Sequence, residues 1–353
     1  MTKRYRVAIV GAGIGAQHVE GFQANPEKFD IAVICDRDTP KAQQLAATCG
    51  AQTHPDYDAA LLARDDIDII DICLPPFLHN QAISQALRAG RHVICEKPLV
   101  GSLAEVDALT TLAQQHHRAL MPVFQVRFGN GLARAKHLID SGAAGRVYHA
   151  TAETHWNRGP DYYAIPWRGT RAHELGGAFL GHAIHIHDML TTLLGEVASV
   201  AATTAIRVNP IETEDCGGAV LQMASGATAI LSVTLGAAIE ISRLQIMCEH
   251  VTITSGGPVY RCSRDPWNFT AKAPTTQHFI DQALAGAPVG RESFDAQFAL
   301  FHTALETNTA PPITTKDAHR ALELVTAIYH SAQTGQRVPL PLQPNHPAYH
   351  GWA

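Results

Sequence analysis

Tyr5-Arg6-Val7-Ala8-Ile9-Val10-Gly11-Ala12-Gly13-Ile14-Gly15-Ala16 is the most informative stretch of the chain. An apolar strand pattern runs into a glycine turn of the form G-x-G-x-x-A, and a helical pattern begins directly after it. In such a turn Gly11 permits the tight bend and Gly13 lets backbone N–H groups approach a diphosphate. Ile14 and Gly15 lead into the helix N-terminus, which favours anionic phosphate, and Ala16 is small enough for helix and strand to pack closely. Alone, such a glycine pattern is a weak signal. The next strand strengthens it. Asp36 closes the run Ile31-Ala32-Val33-Ile34-Cys35, twenty residues beyond Ala16. A carboxylate there accepts the ribose hydroxyls and repels a 2′-phosphate, which favours NAD; the adjacent Arg37 offsets that repulsion and keeps NADP possible.

Around this stretch, short apolar runs alternate with helical patterns. Strands are expected at Tyr5–Val10, Phe29–Cys35, Ile67–Leu74, His92–Cys95 and Ala119–Phe124, with helices at Lys41–Thr48, Gln81–Ala89 and Leu103–Gln115. Apolar runs without alternation suit a parallel sheet covered on both faces, so residues 1–121 read as a doubly wound Rossmann domain. After residue 122 the pattern becomes β-rich with polar alternation, at Val147–His155, Val197–Arg207, Gly218–Met223, Thr228–Leu235 and Ile241–Cys248. That predicts an α+β domain over 122–340 with a large, mostly antiparallel, open sheet. A helix over Ala318–Ala332 with Gly335 as its stop closes that domain, and 341–353 is expected to be an irregular tail.

The 353 residues suit two cores, and 46% hydrophobic with 17% charged residues is globular composition. A net charge of −5 without basic clusters argues against nucleic acid and anionic membrane as partners. No apolar stretch is long enough to cross a bilayer. The start of the chain lacks the pattern of a secretory signal, and seven scattered Cys without a CxxC pair read as reduced thiols, so a cytoplasmic protein is expected.

Ile94-Cys95-Glu96-Lys97-Pro98 adds a third element. With the glycine turn ahead of it, the combination resembles the glucose–fructose oxidoreductase / inositol dehydrogenase / MocA family, Gfo/Idh/MocA, whose hallmark is Glu-Lys-Pro behind a Rossmann domain. The resemblance extends over almost the whole chain. Leu74-Pro75-Pro76 with His79 is similar to the family's loop after the fourth strand, and Arg127-Phe128 and Gly142–Val147 to its domain junction. Trp167-Arg168-Gly169-Thr170, Gly176-Gly177 and His185-Ile186-His187-Asp188 are similar to its substrate region, and Ser331–Gly335 with Val338 to its closing helix.

The resemblance implies an NAD(P)-dependent dehydrogenase that oxidises a secondary alcohol of a sugar, cyclitol, polyol or sugar acid. It implies cofactor contacts from Leu74, Pro75, His79, Glu96 and Lys97, with the Lys97–Pro98 bond often cis. It implies substrate contacts from Lys97, Arg127, Trp167, Arg168, His182 and His185, and a homo-oligomer formed through the open sheet face. Lys97 and His185 are the expected catalytic pair. Desolvation and a cationic nicotinamide both favour the neutral amine of such a lysine, as proton transfer from a hydroxyl requires. The plainer reading makes Glu96–Lys97 an ordinary ion pair at a strand end.

His173 to Leu194 carries an apolar stripe of Phe179, Ala183, Ile186, Leu190 and Leu193, which predicts one helix with a buried face. At roughly 100° per residue His185 points away from that stripe and is free to line a cleft, whereas His182 lies near its edge and suits a hydrogen-bonded core position. The inositol dehydrogenase branch has an Asp four residues before its catalytic His; this chain has Gly181 there, which puts inositol specificity in doubt. His155, His173, His182, His185 and His187 share no single face, so no metal is expected. Tyr162, Tyr163, Trp167, Arg168, Arg171 and His173 suit stacking on a sugar ring and hydrogen bonding to hydroxyls or a carboxylate, or a plain structural role. Two other functions fit the same pattern: an NAD-dependent glycosidase with transient oxidation, and a non-enzymatic NAD(P)-sensing regulator. The aromatic tail, His346 to Trp352, is expected to dock on the core or across a subunit interface.

Overall fold

Val7, Ala8, Ile9 and Val10 are all buried, as strand residues must be when helices cover both faces of a sheet. The computed structural model describes residues 3–352. Its first unit runs through Gln125 and also takes in Ser293–His319; its second spans Val126–Glu292 and resumes at Arg320. The sequence pattern suggested a single boundary at 121/122 and gave no sign that Ser293–His319 returns to the first unit. That return is an apolar packing event. Phe298 stacks on Phe22 at 4.2 Å, and a side chain on Gly21 would overlap Phe294 and Phe298.

The first unit is a six-stranded parallel sheet of β1 (Tyr5–Val10), β2 (Phe29–Cys35), β3 (Gln52–His54), β4 (Ile69–Ile72), β5 (His92–Cys95) and β6 (Leu120–Pro122). Their order is β3-β2-β1-β4-β5-β6, the Rossmann arrangement. β3 escaped the sequence reading because it is short, polar and on the sheet edge. The order reverses between β1 and β4, and parallel sheets bind ligands in the crevice beyond the carboxyl ends of the strands at such a point. The glycine turn follows β1 there.

The second unit holds an eight-stranded sheet: β7 (Val147–Asn157), β8 (Val197–Ala205), β9 (Cys216–Met223), β10 (Thr228–Thr234), β11 (Gly236–Cys248), β12 (Val251–Thr254), β13 (Asn268–Ala271) and β14 (Val338–Pro339). The order is β13-β12-β11-β7-β10-β9-β8-β14, antiparallel throughout except for the β7–β10 pair. Alternation sorts the two faces: Leu221 and Leu231 are buried while their neighbours Val220 and Ile230 are exposed. The closing helix spans Thr315–Thr334 and stops at Gly335, whose φ of 68° suits a helix end.

One expectation is corrected. His173 to Leu194 is three segments, Arg171–Glu174, Ala178–Gly181 and Ile184–Leu194, not one helix. Leu175 at φ 71° and the pair Gly176-Gly177 interrupt it, and Glu214 accepts hydrogen bonds from the Gly177 and Phe179 N–H groups (3.0 and 2.9 Å). A carboxylate from elsewhere in the chain thus replaces the helical partners of those amides. The apolar stripe is nonetheless buried at all five positions. The tail is irregular beyond Pro339 and docks within the second unit: Trp352 donates from Nε1 to the Leu175 carbonyl at 2.8 Å and packs edge-on against Tyr329.

Candidate active site

At the first unit's crevice, Gly11 has φ 105°, and a side chain there would overlap the Cys73 carbonyl, so only glycine fits. Gly13 is exposed, and Lys41 Nζ lies 3.7 Å from where its Cβ would be. The helix Gly15–Gln23 begins with no capping side chain, and the positive end of its dipole there favours an anion. Gly15, rather than Ala16, makes the close approach to β1, with its Cβ position 3.0 Å from Ile9 Cγ2. Asp36 accepts from the Ala12 N–H at 2.7 Å and the Asp38 N–H at 2.9 Å, which fixes its carboxylate beside the turn. Arg37 projects outward, 91% exposed, with Nε 3.5 Å from Asp56. An exposed glycine, a helix N-terminus without a capping side chain and an oriented carboxylate fit a dinucleotide.

Leu74 and Pro75 remain partly open, while His79 is fully buried. Its ring nitrogens lie 2.8 Å from the carbonyl oxygens of Leu74 and Pro98, so His79 ties the loop after β4 to the Glu96–Lys97–Pro98 turn. The Lys97–Pro98 bond is cis. Glu96 is buried and accepts the Lys97 N–H at 3.0 Å, while Lys97 stays partly open. Beneath the turn Glu96 meets His18, which also meets Asp71. Sequence reading passed over both. Asp71 carried a usable signal, a carboxylate within the apolar run Ile69-Ile70-Asp71-Ile72, because a buried charge there requires a partner.

In the second unit, His185 lies in the first turn of the helix Ile184–Leu194 and keeps part of its surface open, whereas His182 and His187 are buried. His182 sits against Trp156 and Tyr162, with ring centroids 5.4 and 5.5 Å away. Arg168 stacks over Tyr162 at 3.8 Å and Trp167 at 4.7 Å; its Nε is buried without an acceptor, and burial lowers its pKa. Arg158 stacks on Trp156 and bonds Glu240 at 3.0 Å and Tyr260 at 2.8 Å. It borders a cavity of about 490 Å³ lined by Asn157–Tyr162. Arg127 is not in this cluster: it forms a two-pronged ion pair with buried Asp188.

Two carboxylates that sequence reading missed shape this region. Glu174 Oε1 lies 3.8 Å from the Cβ position of Gly181, so an acid from the preceding segment fills space beside the glycine. Glu214, half-buried, with its carboxylate among the Gly177 and Phe179 amides and the Tyr329 hydroxyl, has its pKa raised to about 7 by desolvation. His155 and His173 bond Ser232 and Thr170, at 2.9 and 3.0 Å. Among the described residues, the grouping with metal-like spacing is His18, Asp71 and Cys73 of the first unit.

Comparison with known proteins fits this geometry. Residues 5–124 match an oxidoreductase family with an NAD-binding Rossmann fold, and residues 132–254 match the GFO/IDH/MocA C-terminal domain. The chain carries the NAD-binding Rossmann domain of an oxidoreductase family. It belongs to the GFO/IDH/MocA family. An uncharacterized oxidoreductase of Synechocystis, sll0816, is 29% identical over 65% of this chain and 62% of its own, so the chain spans about three fifths of that relative. D-xylose 1-dehydrogenase (NADP(+)) 2 of Haloferax volcanii is 29% identical over 93% of this chain and 97% of its own. The WlbA dehydrogenase from Bordetella pertussis, solved with NADH and UDP-GlcNAcA, is 29% identical with a TM-score of 0.85, covering 97% of this chain and 100% of that one. No described helix is long and apolar enough to cross a membrane.

Proposed function

We propose that this protein is an NAD-dependent dehydrogenase that oxidises a secondary alcohol of a sugar, cyclitol, polyol or sugar acid. The observation that carries the reading is the partly open Lys97 on a turn held from below, in the same unit as a glycine turn suited to a diphosphate. Bound NAD supplies the hydride acceptor. Lys97 orients the substrate hydroxyl, and His185, the open histidine of its helix, exchanges the hydroxyl proton. Arg168 contributes unused guanidinium donors on an aromatic platform, which suits an anionic or polyhydroxylated ring. Asp36 favours NAD over NADP, and dehydrogenase relatives favour net oxidation over a glycosidase or a sensor.

The open face of the second unit's sheet, with exposed Tyr148, Val220 and Ile230, supports a homo-oligomer, and seven free thiols suit the cytoplasm. The test is NADH release across a carbohydrate panel. Lys97→Met and His185→Ala are expected to lower kcat by about 10²-fold or more while NADH binding persists. Unchanged turnover in both would remove the mechanism; carbohydrate cleavage without NADH release would favour the glycosidase.

A further inference from the structure

A buried network of His18, Asp71 and Glu96 under the Glu96–Lys97–Pro98 turn has no role in the reading above. His18 lies on the helix that follows the glycine turn and is 0% exposed, as is Asp71. His18 Nδ1 is 2.9 Å from Asp71 Oδ2, and Nε2 is 3.1 Å from Glu96 Oε1. Glu96 uses its other oxygen for the Lys97 N–H. Phe294 and Phe298 close over the imidazole, with ring centroids 4.6 and 5.4 Å away. One side chain thus joins the phosphate-facing helix, the end of β4 and the base of the lysine turn.

We propose that His18 is a positioning residue for Lys97: by holding Asp71 on one ring nitrogen and Glu96 on the other, it fixes the backbone from which the Lys97 amine projects. This rests on Lys97 being the catalytic amine. A neutral imidazole offers one donor and one acceptor, yet both nitrogens here face carboxylate oxygens, and the imidazolium can donate to both. Burial opposes that charge, but Asp71 and Cys73 together raise the His18 pKa well above the ordinary range, while burial raises the pKa of Asp71 in turn. The other titratable neighbour, Cys73, has Sγ 3.4 Å from Nδ1; burial pushes its thiol up to about 12, so it stays neutral. The competing occupant is a metal ion held by His18, Asp71 and Cys73, whose ligand atoms lie within 4.8 Å of one another.

Three measurements on the full chain test this. In ¹⁵N-histidine-labelled protein, His18 should keep both nitrogens protonated from pH 6 to 8.5; a neutral tautomer at pH 7, or stoichiometric metal in the purified protein, overturns the proposal. The double variant His18→Gln/Asp71→Asn keeps the formal charge of the network but releases Glu96. Its Lys97 should react with trinitrobenzenesulfonate at a rate changed by about tenfold, read by mass spectrometry, with circular dichroism unchanged. An unchanged rate overturns the proposal. If the double variant does not fold, the histidine spectrum of the parent decides. On a turned-over substrate, its kcat should fall by about 10²-fold with KM for NAD within about threefold, as misplacement of a reacting group predicts. A parent inactive on every carbohydrate would sink the dehydrogenase reading instead, leaving the spectrum and labelling rate to judge His18.

Discussion

Two buried histidines, one in each unit, meet opposite surroundings. In the first, His18 lies between two carboxylates, and against the opposing effect of burial its neighbours Asp71 and Cys73 raise its pKa well above the ordinary range. In the second, His187 is equally buried, its Nδ1 has no acceptor, and burial lowers its pKa to about 3. Glu214 is a comparable case in acid form, met by amides and a hydroxyl rather than a cation. Equal burial therefore does not fix charge; the partner does.

The same substitution at both histidines tests this contrast most severely. His18→Leu leaves Asp71 and Glu96 buried without their cation and is expected to cost about 3–5 kcal/mol in denaturant unfolding. His187→Leu removes a neutral ring and should stay within about 1.5 kcal/mol at pH 8. Equal losses would erase the distinction.

Glu214 sharpens it. Its folded pKa, about 7, lies above the ordinary carboxylate value, so the stability it contributes is complete below about pH 4.5 and is lost as pH rises through 7. Glu214→Gln should therefore be more stable than the parent at pH 8, by about 3 kcal/mol, and no more stable at pH 4.5. His187 has the opposite sign. Its folded pKa lies below the unfolded one, so its stability is complete above about pH 6.5 and declines as pH falls towards 3. The parent should lose about 2 kcal/mol from this source by pH 5, and His187→Leu should not. Melting temperatures of the three proteins across pH 4.5 to 8 check both slopes.

The glycine turn, Asp36, the parallel sheet and the Glu96–Lys97–Pro98 turn were legible because each depends on residues adjacent in sequence or on a fixed spacing. What was hidden depends on meetings across the chain. Glu214 breaks the expected helix from a distance of more than thirty residues, by offering the Gly177 and Phe179 amides a better-placed acceptor. Apolar periodicity registers which face is buried, and it did so correctly, but it is blind to a carboxylate arriving from a distant loop. His18 looked like an ordinary helix residue because neither of its partners is near it in sequence. The helix Ser293–Thr307 carries no motif, so nothing in its pattern tells which core its phenylalanines will join.

That late helix has a consequence for synthesis. Phe294 and Phe298 form the lid over His18 and Phe22, yet they leave the ribosome only after the Val126–Glu292 part of the second unit has been made. During translation the nascent Rossmann half must wait with an uncovered apolar patch and a wet ion network. Chains terminated before residue 293 should expose that patch and become clients of chaperones and proteases.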